Sequence, residues 1–200
     1  MSDSSSQTVG QLPSSDGNSS RFPAILTRLA WGLWLLSLAA VTGRLWAGEP
    51  WRLGEVFVVD GLTVVLWTTV TFFSGIVHSY ARRYLSGTDG RRRFFRRVFA
   101  FTLVVMVLVA ANALVVFVGA WLVMGLVMAR LIGHADFPQA TAAAQVSRRY
   151  FLASAGLLGG TLGVLWWHTG ATTVTGVAKT VGALPSPVVL VAATGLVLSA

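Results

Sequence analysis

Two titratable side chains, Asp60 and His78, stand in otherwise apolar stretches of this chain. Charge inside a membrane is costly, so such groups are the first candidates for an ion path. An imidazole takes and releases protons near neutral pH, which makes His78 either a proton shuttle or an anchor at the interface. Asp60 lies near the start of its apolar run. A carboxylate there either belongs to an ion path or accepts from the first amide groups of a helix, where the dipole favours negative charge. A third feature is basic. Seven arginines fall between positions 82 and 97: Arg82, Arg83, Arg91, Arg92, Arg93, Arg96 and Arg97. Guanidinium groups at this density bind lipid headgroups and fix orientation, or they dock the acidic surface of a partner subunit.

Other chemistry is thin. The chain has no cysteine, which removes disulfides, thiolate zinc sites and cysteine-held iron–sulfur clusters. His78, His134 and His168 are not at metal-ligand spacing, so neither a metal nor a cofactor is expected. No nucleophile elbow, phosphate-cradling glycine loop or carboxylate pair is present, so no catalytic residue is assigned. Any place in an enzyme would be as a subunit that does not carry the electrons.

The elements that must position these residues are membrane helices. Of 200 residues, 54% are apolar and 11% charged, with a mean hydropathy of +0.71. Soluble domains carry about 25% charged residues. The sequence predicts an all-α, polytopic transmembrane bundle of five full spans and an incomplete sixth. At about 20 residues per crossing, the spans fall at 23–45, 56–78, 94–111, 113–132 and 150–167, and the short run at 188–200. Asn112 is read as the tight turn between the third and fourth. Residues 1–22, rich in Ser, Gly, Asp and Gln, are expected to form a disordered cytoplasmic tail, followed by one transmembrane domain. The sequence ends inside the sixth run, so it is expected to be the N-terminal part of a longer subunit. Gly156/Gly160 and Gly159/Gly163 form two overlapping GxxxG pairs, read either as a helix-packing device or as tolerated membrane glycine.

Charge asymmetry sets the orientation. With the arginine segment inside, all but Arg44, Arg52 and Lys179 of the fifteen lysines and arginines lie inside. Glu49, Glu55 and Asp60 balance those three, so the net charge of +8 sits on one face. The positive-inside rule then predicts a cytoplasmic N-terminus in a multi-pass plasma-membrane protein. The same placement accounts for the basic balance without nucleic acid.

Several of these motifs resemble one family. Val59-Asp60-Gly61-Leu62-Thr63 resembles the Asp-Gly-Leu-Ser that opens a span in the large antiporter-like membrane subunits of respiratory complex I, the subunit L type of NADH-quinone oxidoreductase. Ile76-Val77-His78-Ser79-Tyr80 with Tyr84-Leu85 is similar to their Ile-His-x-Tyr-Ser-x-x-Tyr-Met. Arg93-Phe94-Phe95 resembles their Arg-Phe-Phe, and Ala110-Ala111-Asn112-Ala113-Leu114 their Ala-Asp-Asn-Leu-Leu turn. The resemblance covers about residues 57–152, and the order of the motifs makes it specific. The doubled arginines, with Arg148-Arg149-Tyr150-Phe151-Leu152, are most similar to the membrane subunit of two-component inorganic-carbon transporters (the DabB type). The resemblance implies an ion-translocating bundle driven by protons or sodium, in the lipid bilayer with soluble or membrane partner subunits. It leaves three expectations: inorganic-carbon uptake, a proton-translocating subunit of NADH-quinone oxidoreductase, and a non-conducting scaffold or assembly subunit. One departure bears on all three. The family carries a Trp-Glu pair whose glutamate belongs to the ion path. Gly119-Ala120-Trp121-Leu122-Val123 has Leu122, or Trp121, in its place, and neither relays a proton.

Overall fold

The computed structural model describes residues 17–199 except Asp89 and Asp136, with the backbone alone at 17–20. Most of the tail predicted to be disordered therefore lies outside the described residues. Seven α-helices and one small hairpin follow in order: α1 (Gly17–Ala47), β1 (Trp51–Leu53), β2 (Phe57–Val59), α2 (Gly61–Tyr84), α3 (Arg91–Ala110), α4 (Leu114–Ile132), α5 (Pro138–Thr169), α6 (Val174–Thr180) and α7 (Ser186–Ser199). A 3₁₀ turn at Val181–Ala183 joins the last two. The chain is an all-α polytopic membrane protein. Four helices are long and apolar enough to cross a bilayer: Arg21–Ala47, Gly61–Tyr84, Leu114–Ile132 and Pro138–Thr169. The 20 residues of α3 open with Arg91, Arg92, Arg93, Arg96 and Arg97, and α7 has only 14 residues.

Consecutive helices pack side by side, α1 on α2, α2 on α3, α3 on α4 and α4 on α5, with α7 returning onto α5. This alternation puts the connections at two ends. At one end β1 pairs antiparallel with β2 in the register Trp51↔Val59, Arg52↔Val58 and Leu53↔Phe57. Bridges from Phe57 to Ala111 and from Ala113 to Thr173 then tie the hairpin, the α3–α4 turn and the α5–α6 connection together. At the other end lie the α2–α3 and α4–α5 connections and the arginines.

The structure moves several boundaries. Residues 56–59, read as the start of the second span, lie in and beside the hairpin, because Gly54 turns the chain at φ +61° and Asp60 caps the helix only afterwards. That helix runs on through Arg82 and Arg83 to Tyr84. The arginine segment is therefore mostly helix, interrupted by a short turn containing Gly87 (φ +81°) and Gly90 (φ +84°). Most of the long loop expected before the fifth span is the first part of α5. Pro138 stands at its first turn, where a missing amide costs nothing, and the alanine-rich stretch after it has high helix propensity. The Asn112 turn falls where the sequence places it, between α3 and α4.

Close helix approach uses different glycines from the GxxxG pairs. A Cβ at Gly125 would lie 2.6 Å from Phe151 Cβ on α5, and one at Gly75 would lie 2.9 Å from the Trp31 ring on α1. Nothing lies within 4 Å of such an atom at Gly156, Gly160 or Gly163. Of the four, Gly159 alone meets a neighbour, Val118 Cγ1 on α4 at 3.5 Å, an ordinary contact that does not need glycine. Glycine spacing alone does not say which glycines meet a neighbouring helix.

Candidate functional site

The buried face of α2 is unusually polar. Thr71, Ser74, Gly75, His78 and Ala81 recur at helical spacing and are all buried. Lipid accepts no hydrogen bonds, so their polar atoms need partners within the protein. Thr71 Oγ1 donates to the Trp67 carbonyl at 2.7 Å and lies 3.4 Å from Ser37 Oγ on α1. Thr102 Oγ1 on α3 donates to Ser74 Oγ at 2.7 Å. His78, 1% exposed, sets its Nδ1 2.7 Å from the Ser74 carbonyl. A polar seam thus runs between α1, α2 and α3, from Ser37 and Thr71 toward Ser74, Thr102 and His78.

His78 is the end of that seam and the one titratable side chain among the buried described residues. A carbonyl only accepts, so Nδ1 carries the hydrogen and Nε2 of the neutral ring holds the lone pair. Nε2 is buried and makes no hydrogen bond of ordinary geometry, although the Phe95 backbone approaches the ring. Phe95 and Phe99 of α3 meet the ring edge to face, with centroids 5.4 and 6.1 Å away. Their packing encloses the imidazole between aromatic edges.

Asp60 occupies a different place and does a different job. It is the N-cap of α2, its Oδ1 accepting from the Thr63 amide and from the Thr63 hydroxyl, each at 2.8 Å. The Thr63 amide bond holds the Asp60 carboxyl below its ordinary range, against the opposing effect of partial burial; the Thr63 hydroxyl and the Arg44 charge add to the lowering. The structure does not bring Asp60 and His78 together, since most of α2 separates them.

The seven arginines divide. Arg82, Arg83 and Arg91 line one cavity of about 660 Å³ with Trp31, Ser79 and Tyr80. Arg91 donates to the Arg82 carbonyl at 2.9 Å, and its guanidinium lies 5.9 Å from the Phe95 ring centre. Arg97 belongs to a second cavity, with Arg130 and Arg148. Arg92, Arg93 and Arg96 are exposed on the first turns of α3.

At the position of the family glutamate, Leu122 is half-buried on α4. Trp121 donates from Nε1 to Ser154 Oγ on α5 at 3.0 Å, and the Ser154 hydroxyl donates to the Ser199 carbonyl on α7. A neutral chain of hydrogen bonds stands there. The described carboxylates, Glu49, Glu55 and Asp60, all lie at the hairpin end. Among the described residues no group of three or more His, Cys, Asp or Glu could hold a metal ion.

Residues 51–95 match the family described as NADH-ubiquinone oxidoreductase (complex I), chain 5 N-terminus. That segment contains the hairpin, the Asp60 cap, all of α2 and the start of α3. Over this segment the chain is similar to the complex I antiporter-like membrane subunits. It is 37% identical over 84 residues to NADH-quinone oxidoreductase subunit L of Escherichia coli (strain K12). The matched stretch covers 41% of this chain and 13% of that subunit. The hydroxyl partners of His78 were missed in the sequence, although Thr71, Ser74 and His78 at helical spacing on one span carry the signal.

Proposed function

We propose that this chain is a membrane subunit of a proton- or sodium-coupled transport complex of the antiporter-like class, and that its task is inorganic-carbon uptake. The observation that carries the reading is the burial of His78, a titratable side chain 1% exposed, at the end of a hydroxyl seam and inside the segment that matches the family model. A histidine so placed is suited to passing a proton between the seam and the arginine end. Asp60, engaged as a helix cap, holds α2 in register and stays outside the path. The doubled-arginine frame supports the inorganic-carbon branch, with a soluble partner subunit docked through Arg82, Arg83, Arg91, Arg92, Arg93, Arg96 and Arg97.

The accompanying topology is five crossings, with α3 as the third, and the 14-residue α7 as a shorter apolar helix packed on α5. Positive charge at the arginine end supports a cytoplasmic placement of that end and of the N-terminus in the plasma membrane. Two other readings each have an observation in their favour. The Escherichia coli relative's name favours a proton-translocating subunit of an NADH-quinone oxidoreductase. The neutral Trp121–Ser154 link, where the family has its glutamate, favours a non-conducting scaffold.

Uptake of labelled bicarbonate separates them. The full-length gene product, expressed with its soluble partner in a host lacking carbonic anhydrase, is expected to accumulate label, and to stop when an ionophore collapses the ion gradients. No accumulation, where a working transporter succeeds in the same host, refutes the inorganic-carbon reading.

A further inference from the structure

Where α3, α4 and α5 meet at the arginine end, a cleft of about 310 Å³ opens between them. Each helix contributes one arginine to it: Arg97, Arg130 and Arg148. Thr141 and Gln145 add neutral polar groups to the lining. The volume is at the lower end of the range of small-ligand pockets, about 300–1,000 Å³. Deeper along α4, Leu126 and Ala129 give it an apolar floor.

The cleft is built by backbone geometry as well as by charge. Gly133 lets the end of α4 close on α5, since a Cβ there would lie 2.9 Å from Ala144 Cβ. The half-buried Arg97 reaches across from α3 and donates from Nη1 to the Arg130 carbonyl at 2.9 Å, satisfying an acceptor in the last turn of α4. That uses one of five guanidinium donors and fixes the side chain with the rest unspent. Three cations line one small cleft and no described carboxylate joins them there, while Asp136, in the connection between α4 and α5, lies outside the described residues. An anion is the natural complement, and the arginine fork suits phosphate oxygens in particular.

Position decides which anion. Basic pockets between membrane helices, at the level where they emerge, face the headgroup layer. The arginines stand at that level, and the apolar floor lies toward the membrane interior. We propose that this cleft binds the phosphate headgroup of an anionic membrane lipid, with Arg97, Arg130 and Arg148 on the phosphodiester and Leu126 and Ala129 against the glycerol and upper acyl chain. The lipid would tie α3 to the α4–α5 pair where side-chain packing leaves a gap. This site is separate from the His78 seam and does not depend on any transport activity.

The test is equilibrium binding of fluorescent phosphatidylglycerol to the purified full chain in neutral detergent, with phosphatidylcholine as the reference lipid. Each of Arg97→Gln, Arg130→Gln and Arg148→Gln is expected to weaken binding about fivefold, and the triple variant about a hundredfold, on the scale of about 1 kcal/mol per basic residue. A triple of equal charge loss outside the cleft, at the exposed Arg21→Gln, Arg28→Gln and Arg149→Gln, is expected to change affinity less than about twofold. Thr141→Trp fills the cleft with its charges intact and is expected to abolish specific binding. Inorganic phosphate at millimolar concentration is expected not to displace the lipid. Equal weakening by the two triples, wild-type affinity in Thr141→Trp, or displacement by inorganic phosphate would each overturn the assignment.

Discussion

The two ends of this helix bundle are held in opposite ways. At the hairpin end the backbone closes on itself. Asn112, 5% exposed, donates from Nδ2 to the Glu55 carbonyl at 2.9 Å and accepts from the Thr175 amide at 3.1 Å. Its own amide and carbonyl bond Val56 and Val174, at 2.8 and 2.7 Å. One residue thereby joins three connections that are far apart in sequence. The arginine end has no such clamp among the described residues. It has clefts and half-buried guanidinium groups in place of a closed backbone network. The lesson is that a bundle can be closed by its own backbone at one end while the other end keeps open clefts lined by arginine.

Substitutions at the two ends sharpen that contrast. Asn112→Leu should have the largest effect. It strands the Glu55 carbonyl and the Thr175 amide in a nearly buried site, at about 1–3 kcal/mol for each unsatisfied group. The free energy of denaturant unfolding in detergent should fall by about 2–6 kcal/mol in total, and limited proteolysis should cut first in the hairpin. Next comes helix approach in the middle of the bundle. Gly125→Ala should destabilise by about 1–3 kcal/mol through overpacking on Phe151, while Gly156→Ala on α5 should be neutral or slightly stabilising. Thermal unfolding of the pair decides this. Asp60→Ala should cost about 1 kcal/mol at neutral pH through the lost N-cap. Because the folded carboxyl titrates below its ordinary value, that contribution is present above the unfolded pKa and disappears as pH falls through the folded one. Wild type and Asp60→Ala should therefore converge in acid, and a gap that widens there would contradict the capping role. The smallest effect belongs to the exposed arginines: Arg96→Gln should leave stability within about 0.5 kcal/mol while changing partner or lipid capture.

The fold was legible in outline because apolar length and charge asymmetry are strong signals in a membrane chain. The Asn112 turn could be found because a single strongly polar residue interrupts a long apolar block. The hairpin was missed because its strands have three residues each and merge with the apolar run that follows. The first part of α5 was missed because a helix can continue past the membrane when its sequence is alanine-rich and unbroken. At the site, Asp60 and His78 could be named from their types alone, whereas the difference between them could not. The cap depends on where α2 begins, and the enclosure of the His78 ring depends on Phe95 and Phe99 of the next helix. The grouping of Arg97 with Arg130 and Arg148 needed three helices placed side by side, which spacing within one segment does not reveal.

The central claim is that His78 passes protons for a transport complex, and its replacement by glutamine tests that most directly. Glutamine keeps a polar side chain beside Ser74 and removes the group that titrates. With complex abundance in the membrane matched to wild type, His78→Gln is predicted to abolish gradient-driven bicarbonate accumulation and the accompanying proton flux. Accumulation and flux at the wild-type rate in an assembled His78→Gln complex would contradict the account.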